Sequence, residues 1–234
     1  MNEPTVMHHR WSHLLFLHWE VAPEILEPLV PKGLEIDTVE GRGYVGIVAF
    51  TMSRLRPIGL PAVPILSDCH ETNVRTYVRF RGGDPGVWFF SLDASNGTAV
   101  RIARTFWRLN YIRARIDLAR NNGHIGYRLD RAERTSARLR VSYSPLASPR
   151  PSPPGTLQHW LVERYRLYAS EGGALYSGCV SHLPYPTQPA TVHEFEETML
   201  RSNGIPRPEA PPLAHYSPGV DVRIHPPRRC RIRR

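Results

Sequence analysis

Glu71, Asn73, Arg75 and Tyr77 occupy every second position of the run Glu71-Thr72-Asn73-Val74-Arg75-Thr76-Tyr77-Val78. Successive side chains of an extended strand point to opposite faces, so these four share one face and Thr72, Val74, Thr76 and Val78 share the other. Same-face neighbours stand about 6–7 Å apart, from the strand rise. An acid, an amide, a guanidinium and a phenol in such a row suit the orientation of a polar ligand. The guanidinium can hold a carboxylate bidentately, and the acid can accept or deliver a proton. A solvated face with cross-strand ion pairs fits the same spacing, and periodicity alone leaves both readings open.

The other residue types that carry chemistry are scattered. Eleven histidines invite a metal reading. Strand alternation separates His13 from His18, however, and loops separate His182, His193 and His215. There is no His-Glu-x-x-His, no His-x-His followed by a carboxylate at ligand spacing, and no cysteine pair. Satisfied or surface histidines are the better reading, and no metal is expected. No Gly-x-Ser-x-Gly elbow, phosphate loop or dinucleotide fingerprint occurs, so no cofactor is expected either. Cys69 reads as a small buried residue, because nothing nearby marks a thiolate-stabilising base.

The elements that must position these groups are mostly strands. Trp11 to Val21 reads as a buried strand, followed by a short helix from Glu24 to Val30 closed by Pro31 and Gly33. Leu34 to Val39 and Gly43 to Met52 read as a hairpin around Glu40-Gly41-Arg42. Pro57 to Pro64 is a loop. Cys69 to Phe80 and Val87 to Leu92 are strands. Ser95 or Asn96 then caps a helix through Val100, Ala103, Phe106 and Trp107. Tyr111 to Ala119 and Gly123 to Leu129 alternate around Asn121-Asn122-Gly123, a hairpin signal. Ala137 to Tyr143 is a strand, and Ser144 to Gly155 an irregular surface loop. Thr156 to Ala169 carries Leu157, Trp160, Leu161, Tyr165 and Tyr168 on one helical stripe. Strands at Ala174 to His182 and Thr191 to Phe195, a short helix ending at Asn203-Gly204, and a strand at Val220 to Ile224 complete the chain. About ten strands and three or four helices make a mostly antiparallel α+β domain.

Composition bounds the class. The chain has 234 residues, 41% hydrophobic and 22% charged, as expected for one globular unit. No apolar run is long enough to span a membrane, and Met1 to Arg10 lacks the apolar core of a secretory signal. Three well-separated cysteines argue for a reducing, cytoplasmic compartment. Of 30 lysines and arginines only Lys32 is a lysine, and five of the arginines crowd the end of the chain at Arg228, Arg229, Arg231, Arg233 and Arg234. Without them the net charge of +9 falls to about +4. No basic stripe with interleaved aromatics lies outside this tail, so nucleic acid is not an expected partner. The expected partner is a small molecule. A role of the tail on a polyanion or membrane surface is the weaker alternative, and homo-oligomerisation is left open.

Four separated motifs carry a resemblance. They are Trp11-Ser12-His13-Leu14-Leu15-Phe16-Leu17-His18-Trp19, Pro31-Lys32-Gly33-Leu34, the Glu71 to Val78 run, and His215-Tyr216-Ser217-Pro218-Gly219-Val220-Asp221-Val222. Together they resemble the uncharacterised YqjF-like family (domain of unknown function 2071) over about Met7 to Ile224. The resemblance implies an acetoacetate-decarboxylase-like fold: a β-rich cone or barrel with a few short helices and a central cavity. Residues 1–225 would form this one domain, and 226–234 a basic, disordered tail. True acetoacetate decarboxylases form a Schiff base through a lysine. The corresponding stretch here is similar to Arg104-Thr105-Phe106-Trp107-Arg108-Leu109-Asn110-Tyr111-Ile112, where Tyr111 or a neighbour stands in the lysine's place. Arginine cannot replace it, since a guanidinium stays protonated. Lysine Schiff-base decarboxylation is therefore not expected. Glu71 looks like the counterpart of a glutamate near those lysines. The expected site is then Glu71 and Tyr111 as the reacting pair, with Arg75, Asn73 and Arg104 as ligand contacts. A small carboxylate- or carbonyl-bearing molecule would bind there, either for cofactor-free acid/base chemistry or in a non-catalytic accessory protein. In the second case Glu71 would be locked in an ion pair with Arg75.

Overall fold

The run Leu14-Leu15-Phe16-Leu17 has no polar face, because both sides of its strand are buried. Leu14 and Phe16 pack into one hydrophobic core, Leu15 and Leu17 into another. Fully covered strands read as continuous apolar runs for this reason. The computed structural model describes residues 4–61, 69–97, 109–132 and 135–230. The helix expected after Ser95 or Asn96 falls almost wholly outside them, as does Arg104.

Seven strands close a barrel. In ring order they are β1 (Met7–Val21), β3 (Gly43–Pro57), β4 (Cys69–Phe80), β5 (Pro85–Ala94), β11 (Arg166–Glu171), β12 (Ala174–Ser181) and β14 (Leu213–Ile224). All neighbours are antiparallel except β5 and β11. The ring closes where Val180 and Ser181 of β12 meet Ile224 and Arg223 of β14. Inside lies the core of Leu14, Phe16, Val48, Phe50, Tyr77 and Val87. A second antiparallel sheet, β7 (Arg115–Asn121), β8 (His124–Arg131), β9 (Ala137–Pro145) and β13 (Pro186–Glu197), joins the ring through β13 and β14. Its Tyr127, Leu129, Leu139 and Val141 cover the outward Leu15, Leu17, Ile47 and Val74. The expected β-rich, mostly antiparallel α+β barrel is the observed architecture. The α-helices given in full by the described residues are short: α1 (Pro23–Leu26), α2 (Leu157–Val162) and α3 (Met199–Ser202). No helix among the described residues is long and apolar enough to cross a membrane.

Three local expectations are corrected. The strand after α1 is β2 (Leu34–Ile36), and it pairs with β4 rather than β3. Only Val39 and Arg42 bridge the Glu40-Gly41 turn, because β3 is already occupied on both edges by β1 and β4. The helix expected over Thr156 to Ala169 stops at Val162, and Arg166 onward becomes β11 between β5 and β12. Tyr165 and Tyr168 suit either state, and the barrel needs a strand there to close. The tail is partly ordered: β15 (Arg228–Arg229) pairs with Tyr176 and Ser177 of β12, while 231–234 lie outside the described residues. Two further short strands, β6 (Tyr111–Arg113) and β10 (Arg150–Pro151), pair with β5 and β13. The Asn122-Gly123 turn forms as expected between β7 and β8.

Bulges phase the barrel wall. In β1 the inward residues are Met7, His9 and Trp11, then Leu14 and Phe16. The register with β3 slips between Ser12 and Leu15, where His13 takes φ 53°. In β3 they are Val48, Phe50 and Met52, then Leu55, across a slip at Arg54 with φ 51°. In β5 they are Val87 and Phe89, then Leu92 and Ala94, across a slip opposite Val74 and Arg75. An extra residue exchanges the two faces of a strand, so each bulge brings residues of opposite parity onto one wall.

Candidate functional site: an acid, a phenol and two guanidiniums in the barrel cavity

The described residues of the barrel line a partly open cavity of about 160 Å³. An engineered cavity near 150 Å³ holds benzene, so the space suits a small organic molecule. Most of its wall is apolar, including Leu14, Phe16, Val48, Phe50 and Leu92. Against it stand Glu71, Asn73 and Arg75 of β4, Tyr111 of β6, and Arg164 just after α2. β6 lies parallel to β5, with Tyr111 beside Leu92, while Glu71 lies beside Ala94 on the other edge of β5. This brings the Tyr111 hydroxyl to Glu71, to which it donates at 2.7 Å.

Burial pushes the Glu71 carboxyl up to about 7, against hydrogen bonds from Tyr111 and Asn73 that pull it down; Asp93 adds a smaller upward push. The acid is therefore poised between its two states near neutral pH, the condition for proton transfer in either direction. The pKa rises on folding from 4.5 to about 7. Folding is thus favoured fully below pH 4.5, and that contribution is lost as pH climbs through 7. Glu71→Gln removes the titration and is expected to raise stability at pH 8 by about 3 kcal/mol relative to wild type. At pH 4 the two proteins should match. Urea melts at both pH values check this, and equal wild-type and variant stability at pH 8 would show that Glu71 ionises freely. Asp93, pushed up to about 6 by burial against the pull of Arg131, leaves a residual slope of the same sign in the variant.

Arg75 is 8% exposed. Its guanidinium donates to the Leu161 carbonyl at 3.1 Å and lies 5.8 and 5.7 Å from the ring centres of Phe16 and Tyr77. Its Nε has no partner among the described residues, and Arg75 and Glu71 form no ion pair with each other. Arg164 donates to Asp37 at 2.8 Å and to the Trp160 carbonyl at 2.8 Å, stacks 4.1 Å above Trp160, and keeps one buried nitrogen without a partner. Burial lowers its pKa, with Asp37 opposing and nearby Arg75 adding to the drop. Two guanidiniums with unused N–H groups in a low-dielectric wall make a site suited to a carboxylate.

Of the residues singled out from sequence, Glu71, Asn73, Arg75 and Tyr111 come together on the cavity wall. Tyr77 does not line it; its hydroxyl donates to the Leu161 carbonyl at 2.8 Å and its ring packs on Trp160. Arg104 lies outside the described residues. Lys32 is exposed in its turn. Sequence reasoning missed Arg164, because nothing in its spacing within the Thr156 to Ala169 segment marks it as a cavity residue. Among the described residues no three histidine, cysteine or acidic side chains gather to hold a metal ion.

The family model DUF2071, "Uncharacterized conserved protein", matches residues 8–221. The chain belongs to this family. It is 37% identical to the uncharacterized protein YqjF of Bacillus subtilis (strain 168) over 224 residues, 96% of this chain and 92% of that one. Among solved structures it is similar to the enduracididine biosynthesis enzyme MppR complexed with pyruvate, with TM-score 0.68 and 14% identity over 98% of this chain and 91% of that one. It is also similar to an acetoacetate decarboxylase-like enzyme from Sphingomonas wittichii RW1, with TM-score 0.66 and 13% identity over 97% and 94%. At such identities the likeness establishes an acetoacetate-decarboxylase-like fold for this DUF2071 protein, and the fold alone leaves its chemistry open.

Proposed function

We propose that the barrel cavity binds a small carboxylate that also bears a carbonyl, and that Glu71 exchanges a proton with it. Arg75, with Arg164 beside it, holds the carboxylate. Glu71 is the acid/base group, Tyr111 and Asn73 hold its carboxyl, and the second amide hydrogen of Asn73 is offered to the carbonyl. Arg104 is carried as a further contact on the sequence resemblance alone. The observation that carries this reading is the buried Arg75 guanidinium, which has no carboxylate partner among the described residues in a wall shared with Glu71. A buried cation is ordinarily paired, so an unpaired one beside a cavity favours an anionic ligand. The pyruvate in the similar MppR structure is consistent with this ligand class. A Schiff base is outside the reading, because the only lysine is the exposed Lys32.

Pyruvate in heavy water provides the test. Calorimetry reads binding, and proton NMR reads exchange of the methyl hydrogens for deuterium, in which Glu71 removes a methyl proton and a deuteron returns to the same carbon. Binding with exchange that Glu71→Gln abolishes is the expected result. Binding without exchange would favour the accessory-protein reading, in which the same cavity carries a ligand without turnover. Failure of pyruvate and its longer 2-oxo homologues to bind would overturn the proposal.

A further inference from the structure

The geometry points to a second polar end of the cavity, at His9 and Trp11 with His182 packed behind them, that receives a neutral hydroxyl or primary amide of the ligand. The inference rests on the reading that Arg75 holds a carboxylate, and it narrows the ligand to a short bifunctional molecule charged at one end only.

His9 and Trp11 are the inward residues of β1 before its bulge, two positions apart on one wall. The His9 Nε2 hydrogen-bonds the Met7 sulfur. A thioether only accepts, so Nε2 carries the hydrogen and Nδ1 is left as a lone pair. His182 Nδ1 lies 2.7 Å from the Leu183 carbonyl. That oxygen also only accepts, which leaves His182 Nε2 as a second lone pair. The Trp11 Nε1–H is a donor and nothing else. All three atoms, His9 Nδ1, His182 Nε2 and Trp11 Nε1, are shielded from solvent and have no hydrogen-bond partner among the described residues. The His182 ring lies 6.2 Å from that of Trp11, and 4.7 and 4.3 Å from those of the cavity-lining Tyr165 and Tyr185.

One donor and one acceptor on the wall, Trp11 Nε1 and His9 Nδ1, and a second acceptor just behind it, His182 Nε2, are thus left unused. Each such orphan costs about 1–3 kcal/mol unless something fills it, and buried polar groups are otherwise almost always paired. A hydroxyl or an amide –NH₂ with its carbonyl can take the Trp11 hydrogen and donate to an imidazole. A carboxylate would meet two lone pairs. An ammonium would have to draw Glu163, the acid near His182, away from the Tyr165 hydroxyl and the Tyr185 backbone N–H that it already accepts from. Burial holds both imidazoles in the neutral form at ordinary pH, His9 at about 4 and His182 below its usual value. Between this end and Arg75 the wall is Leu14, Phe16, Val48 and Phe50, which suits methylenes or a small ring.

Calorimetry with isosteric pairs tests the inference: 5-hydroxypentanoate against hexanoate, and the pairs one methylene shorter and longer. In each pair a methyl replaces the hydroxyl at constant length, so an apolar end favours the fatty acid and a polar end the hydroxy acid. On the wild-type chain the best hydroxy acid is expected to bind at least about tenfold more tightly than its partner. Trp11→Phe keeps the ring and loses the N–H, and should erase that preference while leaving the fatty acid's affinity in place. Arg75→Met should weaken both acids. Tighter binding of the fatty acid throughout, or a preference unmoved by both Trp11→Phe and His9→Leu, would overturn the inference and leave the Arg75 reading standing; water would then fill that end. No binding by any of these acids, or binding unaffected by Arg75→Met, would overturn both.

Discussion

Arg75→Met is expected to abolish binding of small carboxylates while making the empty protein more stable. The first effect follows from removing the charged partner of a desolvated anion, which costs about 3 kcal/mol, or roughly 100-fold in Kd. The second follows from what Arg75 does without a ligand. Its residue is 8% exposed, and its charge faces aromatic rings and one carbonyl, with no carboxylate among the described residues. Methionine fills a similar volume without a charge to desolvate, and such replacements are neutral or stabilising by about 1–4 kcal/mol. A site kept for binding is thus distinguished from one kept for folding by the sign of a single melting-temperature change. Thermal melts and calorimetry on the same preparation read both quantities. A variant that binds as tightly as wild type would sink the assignment. One that melts lower would make Arg75 a structural tie to the Leu161 carbonyl.

Gly219→Ala is expected to cost more than about 4 kcal/mol, a loss reserved for severe backbone conflicts. Gly219 has φ 133°, a region closed to other residues, and lies opposite Ser12 in the β1–β14 pair. A Cβ there would stand 2.1 Å from the Trp11 carbonyl oxygen and 2.8 Å from the Ser12 Cα. Backbone atoms cannot swing aside as a side chain would, so the strand pair must part where β1 bulges. That bulge brings Trp11 and Phe16 onto the same wall, so loss of ligand binding should accompany loss of stability. Gly126→Ala in β8 is the control. A Cβ there meets nothing within 4 Å, and the change should be close to neutral or slightly stabilising. Urea denaturation of the two variants gives the comparison. Equal midpoints would show that β1 and β14 tolerate the crowding and that the bulge is not held by Gly219.

Much of this protein is legible without its fold. The alternation from Glu71 to Val78 is enough to put Glu71, Asn73 and Arg75 on one face, because side-chain direction in a strand has period two and no bulge interrupts this stretch of β4. The Asn122-Gly123 turn is legible because its dipeptide matches a hairpin geometry. The single lysine at Lys32 excludes an amine nucleophile by composition alone. What a lone strand cannot reveal is which of its faces looks inward and where its phase changes. Trp11 and Phe16 have opposite parity and share a wall only because His13 adds a residue to β1. Tyr111 meets Glu71 only because β6 joins the far edge of β5. Arg164 reaches the cavity only because α2 ends early and β11 closes the ring. These three contacts join residues distant in the chain, and they form through pairings whose hydrogen bonds lie between backbones and so carry little side-chain signature. Local periodicity determined most of the strands, β11 excepted, and the content of their faces; closure of the barrel, with its bulges, decided which faces meet.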